Sequence, residues 1–460
     1  MLTQDWLTWS LLLYPLGLVA AIDALWSGRT AQGSLAWMLS LLVIPQLSLP
    51  AYLLFGSRRL KGYRRARQRV DGHLTGIGAR VEQQLLPYRR DANATIRPLL
   101  ALFRSPMLTG NKVELLTSGE QTFAALFEAL DQAQHSICLQ FYIIRDDDLG
   151  QRLLSVLQHR AAAGVRIYIV FDEIGSHGLT RHYRRQLRAA GIEFSRFNPI
   201  RLRNRMQLNF RNHRKLVIID EQVAFIGGYN IGDEYLSANW RDTHLRIQGP
   251  AALSFQLGFA EDWHWATGRD PELQWQAAPK AGEQAVMCIN PGPADQFESA
   301  SLFVCQMIQA AQQRCWLVSP YFVPDQAVIS NLQLAVLRGV DVRVLVPEKT
   351  DNRVVQLAMM RYIEELSQAG IRFSTYRAGF LHQKVMLIDD ELVSVGSANL
   401  DNRSLRINFE MNALIQDRTL AKQVEAMLQQ DFLQSTSAQV STRWHQQLLA
   451  RLARLLAPLL

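Results

Sequence analysis

An internal duplication constrains the fold of this 460-residue chain more than any other feature of its sequence. The pattern His-x-Lys-x-x-x-x-Asp occurs twice, and its members are His213, Lys215 and Asp220 in the first copy and His382, Lys384 and Asp389 in the second. In both copies an asparagine, Asn230 or Asn399, lies 17 residues after the histidine and follows a turn rich in small residues. Chance produces one match in about a few per cent of chains of this length, so two matches with equivalent flanks indicate a functional duplication.

The repeat extends into the segments around the motifs. Three pairs of segments resemble each other: 137–144 and 316–323, 164–170 and 339–345, 190–194 and 369–373. Apolar β-rich runs alternate with longer helical patterns, which predicts two α/β lobes, each with a mixed or parallel sheet and helices on its faces. A repeat of this length indicates a duplicated domain, and a pseudo-dyad between the lobes would bring the two motifs together at their interface.

The motif residues have the chemistry of a phosphodiester-cleaving site. Residues 217–219 and 385–388 read as buried strands, so each histidine projects on the same side as the lysine two residues later. A neutral imidazole can attack phosphorus while a protonated imidazole donates to the leaving alkoxide. The two lysines would stabilise the charge on the non-bridging oxygens, and Asn230 and Asn399 would donate further hydrogen bonds to the phosphate.

Two acidic residues downstream of the motifs are candidates for orienting the histidines. Asp242 and Glu410 lie 29 and 28 residues after the histidine of their own half, which suggests that they are duplicates of one another. We expect each to accept a hydrogen bond from a ring nitrogen, with Glu410 holding His382 protonated. Asp220 and Asp389 end their strands, and we interpret these motif members as scaffolding acceptors for the motif loop rather than as proton carriers.

Two apolar runs near the N-terminus predict a hairpin of two transmembrane helices. Residues 6–26 and 35–55 each form a run of 21 residues, or about 31 Å as a helix, which is enough to cross a bilayer core. A cleaved signal peptide is disfavoured because no Lys or Arg precedes the first run and the second follows almost at once. Because Pro15, Asp23, Pro45 and Pro50 interrupt the runs, a re-entrant or interfacial hairpin stays open as the alternative.

Basic residues after the second run predict the orientation of the hairpin. Seven Lys or Arg residues lie within 58–69, and the positive-inside rule places them, with the catalytic lobes, in the cytoplasm. This cluster also suits anionic lipid headgroups. The resulting division of the chain is a membrane hairpin (1–57), a basic juxtamembrane linker (58–108), a first lobe (109–275), a second lobe (276–435) and an amphipathic C-terminal helix (436–460).

Two further segments have two interpretations each. The first half carries about ten extra residues within 199–212, because the offset between the halves falls from 179 to 169 residues there. This loop contains Arg201, Arg203, Arg205 and Arg211, and it either grips a phosphate or an anionic membrane or is simply solvated. The C-terminal segment has leucines at helical spacing beside Arg451 and Arg454, so it either lies on a membrane surface or packs on the catalytic body.

Composition restricts the partners and cofactors. The net charge of +8 and the pI near 9.4 favour anionic partners. The four cysteines lack metal-ligand spacing, and the sequence has no P-loop, dinucleotide fingerprint or zinc signature. We therefore expect neither a metal nor an organic cofactor.

The paired motifs resemble those of the phospholipase D superfamily, and the rest of the chain is similar to its bacterial cardiolipin synthases. The supporting stretches are residues 51–59, 320–325, 338–347, 380–390, 395–410 and 452–460. The resemblance covers nearly the whole chain, and the family's motif residues correspond to His213, Lys215, Asp220, Asn230, His382, Lys384, Asp389 and Asn399. One departure is Gly228, where the second copy has Ser397 and thus a hydroxyl group.

The resemblance implies a lipid-synthesising reaction. One phosphatidylglycerol would give its phosphatidyl group to a histidine, glycerol would leave, and a second phosphatidylglycerol would accept the group to form cardiolipin. By family analogy, His213 is the nucleophile and His382 is first the acid and then the base. The protein would be a multi-pass protein of the bacterial inner membrane, with phosphatidylglycerol and anionic lipids as partners and no nucleic acid.

Three other functions remain open. A phospholipase D-type hydrolase, or a transphosphatidylase that uses another phospholipid or alcohol, would keep the same residues. A nuclease of the same superfamily would explain the positive charge but not the hairpin. A non-catalytic membrane scaffold is expected to have lost at least one motif, and both motifs are intact.

Overall fold

The computed structural model describes residues 2–28, 31–56, 75–197, 210–438 and 443–457. The basic cluster predicted within 58–69 lies outside these residues, as do Arg201, Arg203 and Arg205 of the arginine-rich loop. The chain divides into two compact units. The first consists of Met1–Asp71 and Asn198–Phe210, and the second of Gly72–Phe197 and Arg211–Leu460.

Within its described residues, the first unit contains three helices, α1 (Leu2–Ser27), α2 (Ala31–Val43) and α3 (Pro45–Phe55). The second apolar run, predicted as one helix, is therefore two. Ile44 has φ −135° and ψ 64°, outside the helical region, and Pro45, which has no N–H, begins the next helix. Across the part of the chain that the structure describes, no helix combines the length and the apolar character that crossing a bilayer requires.

An alanine-rich face of α1 packs on the other two helices of this unit. Its core consists of Ala20, Ala21, Ala24, Leu41 and Tyr52. The Tyr52 hydroxyl donates a hydrogen bond to Asp23 Oδ2 at 2.5 Å, so the charged residue inside the first apolar run has a polar partner. This contact ties α1 to α3.

The second unit contains two equivalent series of strands and helices. Its first lobe follows α4 (Thr75–Leu85) and α5 (Arg97–Phe103), and it consists of β1 (Leu108–Leu116), α6 (Gly119–Asp131), β2 (Ser136–Phe141), α7 (Asp148–Ala162), β3 (Arg166–Asp172), α8 (Arg181–Ala189), β4 (Glu193–Phe197), β5 (Leu216–Ile219), β6 (Val223–Gly227), β7 (Trp240–Arg241), β8 (His244–Gln248) and α9 (Ala251–Thr267).

The second lobe repeats this series with small additions. It consists of β9 (Gln284–Ile289), α10 (Ser299–Ala310), β10 (Arg314–Val318), β11 (Phe322–Val323), α11 (Gln326–Leu337), β12 (Asp341–Pro347), α12 (Arg353–Gln368), β13 (Arg372–Tyr376), β14 (Phe380–Leu381), β15 (Val385–Ile388), β16 (Leu392–Gly396), β17 (Leu400–Asp401), α13 (Asn402–Arg406), β18 (Asn412–Gln416), α14 (Arg418–Leu433), β19 (Ser435–Ser437) and α15 (Trp444–Leu455).

A single mixed sheet of 15 strands joins the two lobes. Its order is β19-β13-β12-β10-β15-β16-β18-β9-β1-β8-β6-β5-β2-β3-β4, so the second half mirrors the first about the β9–β1 pair, with β19 added at one edge. At that central pair the strands are antiparallel, and Leu108 lies opposite Val286. In each half the three outer strands of the repeat are parallel and the others antiparallel. The predicted duplication of α/β lobes with a mixed sheet is confirmed.

Each lobe has its own apolar core between the sheet and its helices. Every residue of β2 is buried, as is every residue of β15, which explains the continuous apolar runs in the sequence. Burial of one such aliphatic side chain stabilises the fold by about 1.5–3 kcal/mol. These cores hold the motif strands rigidly.

The C-terminal helix α15 packs on the second lobe. Ala450 and Ala453 are buried, and Arg454 Nη1 lies 2.6 Å from Glu365 Oε2 on α12. Leu448, Leu452 and Leu455 are exposed on the same helix. Packing on the body therefore involves one face of α15, and the leucines lie on another.

Candidate active site

Short backbone crossings between the lobes bring the two motifs together. The N–H of His213 donates to Phe409 O at 2.9 Å, and the N–H of Phe409 donates to Arg211 O at 2.8 Å. Equivalently, β14 runs parallel to β7, and the N–H of His382 donates to Arg241 O at 2.7 Å. The segment before each motif histidine therefore lies beside the segment before the acidic residue of the other lobe.

Because of these crossings, each histidine is held by the acid of the opposite lobe. His213 Nδ1 lies 3.0 Å from Glu410 Oε2, and His382 Nδ1 lies 2.6 Å from Asp242 Oδ2. The expectation that Glu410 holds His382, within its own half, is wrong. Equal spacing identifies the two acids as duplicates, but the backbone exchange across the pseudo-dyad decides which histidine each one reaches.

Burial keeps both imidazoles neutral. Only 13% of the His213 side chain and 10% of the His382 side chain are exposed. Burial lowers the pKa of His213, and burial together with the charge of Lys384 lowers the pKa of His382 to about 4. With Nδ1–H donating to the carboxylate, Nε2 of each ring carries the lone pair that can attack phosphorus.

The two acids stay ionised although they are completely enclosed. Burial raises the pKa of Asp242, but Lys384 and His382 together lower it below its usual value. Burial likewise raises the pKa of Glu410, and His213 and Lys215 outweigh that effect. Each histidine therefore faces a negative charge, which fixes its ring orientation.

The two lysines supply the positive charge of the site. Burial lowers the pKa of Lys215 to about 7 and that of Lys384 to about 8, and the charge of Lys384 contributes to the shift of Lys215. Lys215 Nζ donates to His213 O at 2.6 Å, and Lys384 Nζ lies 3.0 Å from His382 Nδ1. Each ammonium group thus lies beside the histidine of its own motif. There it would face a negatively charged oxygen of a bound phosphate.

The two asparagines predicted to bind phosphate have different surroundings. Asn230 Oδ1 accepts the N–H of Ile143 at 3.1 Å, and its Nδ2 donates to the Tyr235 hydroxyl at 3.1 Å. Asn399 Oδ1 is buried without a hydrogen-bond partner among the residues that the structure describes. Asn230 therefore bonds its own lobe with both ends of its amide.

The two motif aspartates lie at the far end of the motif strands. Asp220 accepts the backbone N–H groups of Gln134, His135 and Ser136 at 2.8, 2.7 and 2.8 Å. Asp389 accepts those of residues 312–314 in the same way. Histidine and aspartate are seven residues apart along a largely extended segment, which corresponds to about 23 Å. Their hydrogen bonds tie the end of the motif strand to the start of β2 or β10, which agrees with a scaffolding role.

The sequence did not reveal several residues around the site. Arg214, between the first histidine and lysine, is fully buried, with Nη1 2.7 Å from Asp262 Oδ2 and Nε donating to Glu410 O at 3.1 Å. The Tyr142 ring meets His213 edge to face, with 5.1 Å between centroids. Trp240 and Phe380 lie 5.2 and 5.9 Å from the His382 ring. For Arg214, the signal in the sequence was its place between two motif residues, just before an apolar strand.

Comparison with known proteins identifies close relatives. A family model described as "Cardiolipin synthase, PLD-like domain" matches residues 126–263 and 304–432. Cardiolipin synthase A of Pseudomonas entomophila (strain L48) is 46% identical, over 98% of this chain and 97% of the relative. Cardiolipin synthase A of Pseudomonas aeruginosa (strain LESB58) is 44% identical, over 97% of this chain and 94% of the relative.

A solved structure shares the fold. The crystal structure of phosphatidylserine synthase from Haemophilus influenzae Rd KW20 superposes with a TM-score of 0.63 at 15% sequence identity. The match covers 80% of this chain and 100% of that chain.

Proposed function

This chain belongs to the cardiolipin synthase family with phospholipase D-like domains, and we propose that it joins two phosphatidylglycerol molecules through a phosphohistidine intermediate. It is a phosphatidyltransferase of that family. The observation that carries the mechanism is the pair of crossed contacts, His213–Glu410 and His382–Asp242, which join both motifs into one site.

In the first half-reaction, His213 Nε2 attacks the phosphorus of the donor lipid. The bond between phosphorus and the glycerol headgroup oxygen breaks, and His382 donates a proton to that oxygen. The ammonium groups of Lys215 and Lys384 stabilise the non-bridging oxygens as their charge develops. Nδ1 of each ring remains bonded to its carboxylate, so the ring does not turn during the transfer.

In the second half-reaction, the hydroxyl of another phosphatidylglycerol attacks the phosphohistidine. His382 accepts the hydroxyl proton, and the bond between phosphorus and nitrogen breaks, which releases cardiolipin and restores His213. Phosphodiester replaces phosphodiester, so no nucleotide is consumed.

The acid role of His382 requires a proton that burial disfavours. Burial and the charge of Lys384 lower the pKa of His382 to about 4. An anionic phosphodiester beside the ring raises that pKa, because a nearby negative charge favours the imidazolium form. We therefore propose that binding of the donor lipid itself protonates the acid.

The phosphate ligands besides the lysines differ between the lobes. Asn399 is the proposed phosphate ligand of the second lobe through its donor Nδ2, because its unpartnered Oδ1 is an acceptor and cannot bond an anionic phosphate. The amide of Asn230 bonds Ile143, just after β2, and the Tyr235 hydroxyl. Asn230 therefore positions the C-terminal end of β2. Asp220 and Asp389 contribute scaffolding.

We also propose that the N-terminal helices form a hairpin in the bacterial inner membrane, with the lobes on the cytoplasmic side. Support comes from the exposed apolar side chains of α1, among them Val19, Leu25 and Trp26, and from the basic composition of 58–69. The break at Ile44 favours a second arm that does not run straight across the bilayer. The same proposal includes domain boundaries near residues 57, 108, 275 and 435. They separate the hairpin, the basic linker, the two lobes and the C-terminal helix.

Defined lipid pairs test the reaction. Purified protein in mixed micelles would receive headgroup-labelled phosphatidylglycerol, alone or with phosphatidylethanolamine, and the products would be identified by mass. We expect cardiolipin and one glycerol for each cardiolipin formed. Phosphatidic acid as the main product would instead establish a phospholipase D-type hydrolase and overturn the transferase assignment.

A further inference from the structure

The first motif extends by one more residue on the side that faces the substrate. Arg211, His213 and Lys215 are spaced two apart on an extended segment that Phe409 holds on both sides, so their side chains project to the same face. Asn212 and Arg214 turn to the other face, where both bind Asp262, at 2.9 and 2.7 Å. The first motif therefore presents a row of Arg, His and Lys.

The second motif has no cation at the equivalent place. Phe380 occupies the position that Arg211 has in the first copy, and its ring stacks on His382 with an interplanar angle of 23°. Trp240 packs against both rings. One side of the site is thus aromatic and the other carries an additional positive charge.

The guanidinium of Arg211 is poised for an anion. Arg211 is 9% exposed, and its Nη1 is buried without a hydrogen-bond partner among the described residues. Asp172 is a nearby carboxylate, but its oxygens accept the N–H groups of Ile174, Gly175 and Asn212. Burial lowers the pKa of Arg211, Asp172 raises it and Arg403 lowers it, and a bound anion would favour the charged form further.

We propose that Arg211 binds the phosphodiester of the acceptor lipid. This inference rests on the proposed transfer between two phosphatidylglycerols, because a transfer of that kind brings a second phosphodiester to the site. The lysines of the motifs serve the donor phosphate. Arg211 lies about 6–7 Å along the extended segment from His213, and the acceptor's glycerol separates its attacking hydroxyl from its own phosphorus by about 6 Å.

The step that Arg211 assists leaves its own bonds unchanged. The acceptor hydroxyl forms a bond to the phosphorus on His213 Nε2, the phosphorus–nitrogen bond breaks, and the hydroxyl proton passes to His382. Arg211 holds the acceptor's phosphodiester throughout. Loss of Arg211 therefore weakens the binding of acceptors that carry a phosphate more than the binding of acceptors that carry none.

Two soluble acceptors that differ by one phosphodiester test this assignment. Wild type, R211Q and R211K would be given phosphatidylglycerol as donor, with either deuterated glycerol or glycerophosphoglycerol as acceptor. The first acceptor reports headgroup exchange and the second reports transfer to a phosphodiester-bearing alcohol. R372Q, which changes the same residue type at an exposed ion pair with Asp341, is the matched control.

For R211Q we expect the ratio of the KM for glycerophosphoglycerol to the KM for glycerol to rise about tenfold, since a hydrogen bond to a charged group is lost. Cardiolipin formation by R211Q should fall by a similar factor. The rate of R211K should lie between those of wild type and R211Q, and the rate of R372Q should equal that of wild type. An equal loss with both acceptors, or no loss with either, would overturn the proposal.

The proposed function is judged separately, from the wild type alone. A wild type that makes no cardiolipin refutes the transferase function, whatever R211Q does. The Arg211 inference depends on the ratio of the two acceptor rates, and the glycerol rate shows in each variant that the protein is folded.

Discussion

The two copies of the motif have the same residues at their centres but different supports around the acids. Glu410 receives hydrogen bonds from Ser397 Oγ at 2.6 Å and from Asn408 Nδ2 at 3.1 Å, and it holds His213. Asp242, one methylene shorter, holds His382 and leaves no room at Gly228, where an added Cβ would come within 2.0 Å of Asp242 Oδ1.

In these two copies, the size of the acid matches the small residue of the turn beside it. Glutamate goes with the serine that donates to it, and aspartate goes with the glycine whose missing side chain makes space for it. The difference between Gly228 and Ser397, a minor detail in the sequence, thus indicates whether the acid of the same lobe is an aspartate or a glutamate. Five predictions test the comparison, from the largest expected effect to the smallest.

The histidines should be equally indispensable despite their different supports. H213A and H382A should each lower cardiolipin formation by about 10⁴-fold or more, and the double variant should be no worse, because the two groups act as a unit. Initial rates in mixed micelles measure this. A single variant with half of the wild-type activity would mean two independent sites.

Removing the charge of one acid should move the limb of the pH profile that belongs to the histidine it contacts. Asp242 raises the pKa of His382, so D242N should move the basic limb, where the acid must stay protonated, to lower pH. Glu410 raises the pKa of His213, so E410Q should move the acidic limb, where the nucleophile must be neutral, to lower pH. We expect the rate to fall by about 10²- to 10⁴-fold in each.

The acidic limb also separates the histidine roles. Rates from pH 5 to 10 would be compared for wild type, D242N and E410Q. If D242N moves the acidic limb and E410Q leaves it in place, the assigned roles of nucleophile and acid must be exchanged. The basic limb does not discriminate, because both acids also raise the pKa values of the two lysines.

The residue between histidine and lysine should contribute more to stability in the first motif, where it is Arg214, than in the second, where it is Gln383. R214Q gives the first motif a side chain like Gln383 and leaves Asp262 as a buried carboxylate without its ion-pair partner. Such a loss costs about 3–5 kcal/mol. Q383A removes the contact with Thr243 Oγ1 at 2.9 Å, and we expect a loss of about 1 kcal/mol. Denaturant unfolding followed by circular dichroism compares them, and equal losses would contradict this reading of Arg214.

Exchanging the turn residues should be asymmetric. G228S places a side chain against Asp242, which must move, so we expect about a 100-fold loss of rate, as for other misplaced catalytic groups. S397G removes the hydroxyl that bonds Glu410 and should reduce the rate about fivefold. Combining G228S with D242E should recover activity, since it restores the serine–glutamate pair. Without any recovery, the complementary pairing of acid and turn residue would be wrong.

The smallest effect is expected for chelators. The two lysines, joined by His382 once the donor lipid protonates it, supply the positive charge around the phosphate. Prolonged treatment with a chelator should therefore change the rate of cardiolipin formation in micelles by less than about twofold, with lipid aggregation controlled by light scattering. A loss that one specific divalent ion restores would refute this expectation.

Much of this architecture could be predicted from the sequence because, in a duplicated chain, each pattern occurs once in each half. The alternation of strands and helices, the motif strands and the equivalence of Asp242 and Glu410 all follow from matching segments. The crossed pairing could not be predicted, because the spacing between histidine and acid is the same whether a pair forms within a lobe or across the dyad. Only the backbone bonds at Phe409 and Arg241 decide it.

Other features depend on single residues whose effect needs three dimensions. Proline after Ile44 was visible, but whether it bends or ends a helix depends on local packing. Arg214 reads as a surface charge in a pattern analysis, and it is fully buried because Asp262, on α9, meets it there. The predicted roles of the motif residues in catalysis remain predictions until the variants above are measured.

The exchange of acids across the dyad has a consequence for the order in which the chain is made. His213 leaves the ribosome 197 residues before Glu410, the residue that orients it. At a synthesis rate of about 5–20 residues per second, this interval lasts about 10–40 s. Until β9 is made, beginning 71 residues after His213, β1 has an unpaired edge, which is a site for wrong pairing with other chains. The nascent protein can therefore begin to consume membrane lipid only when nearly all of it has been synthesised.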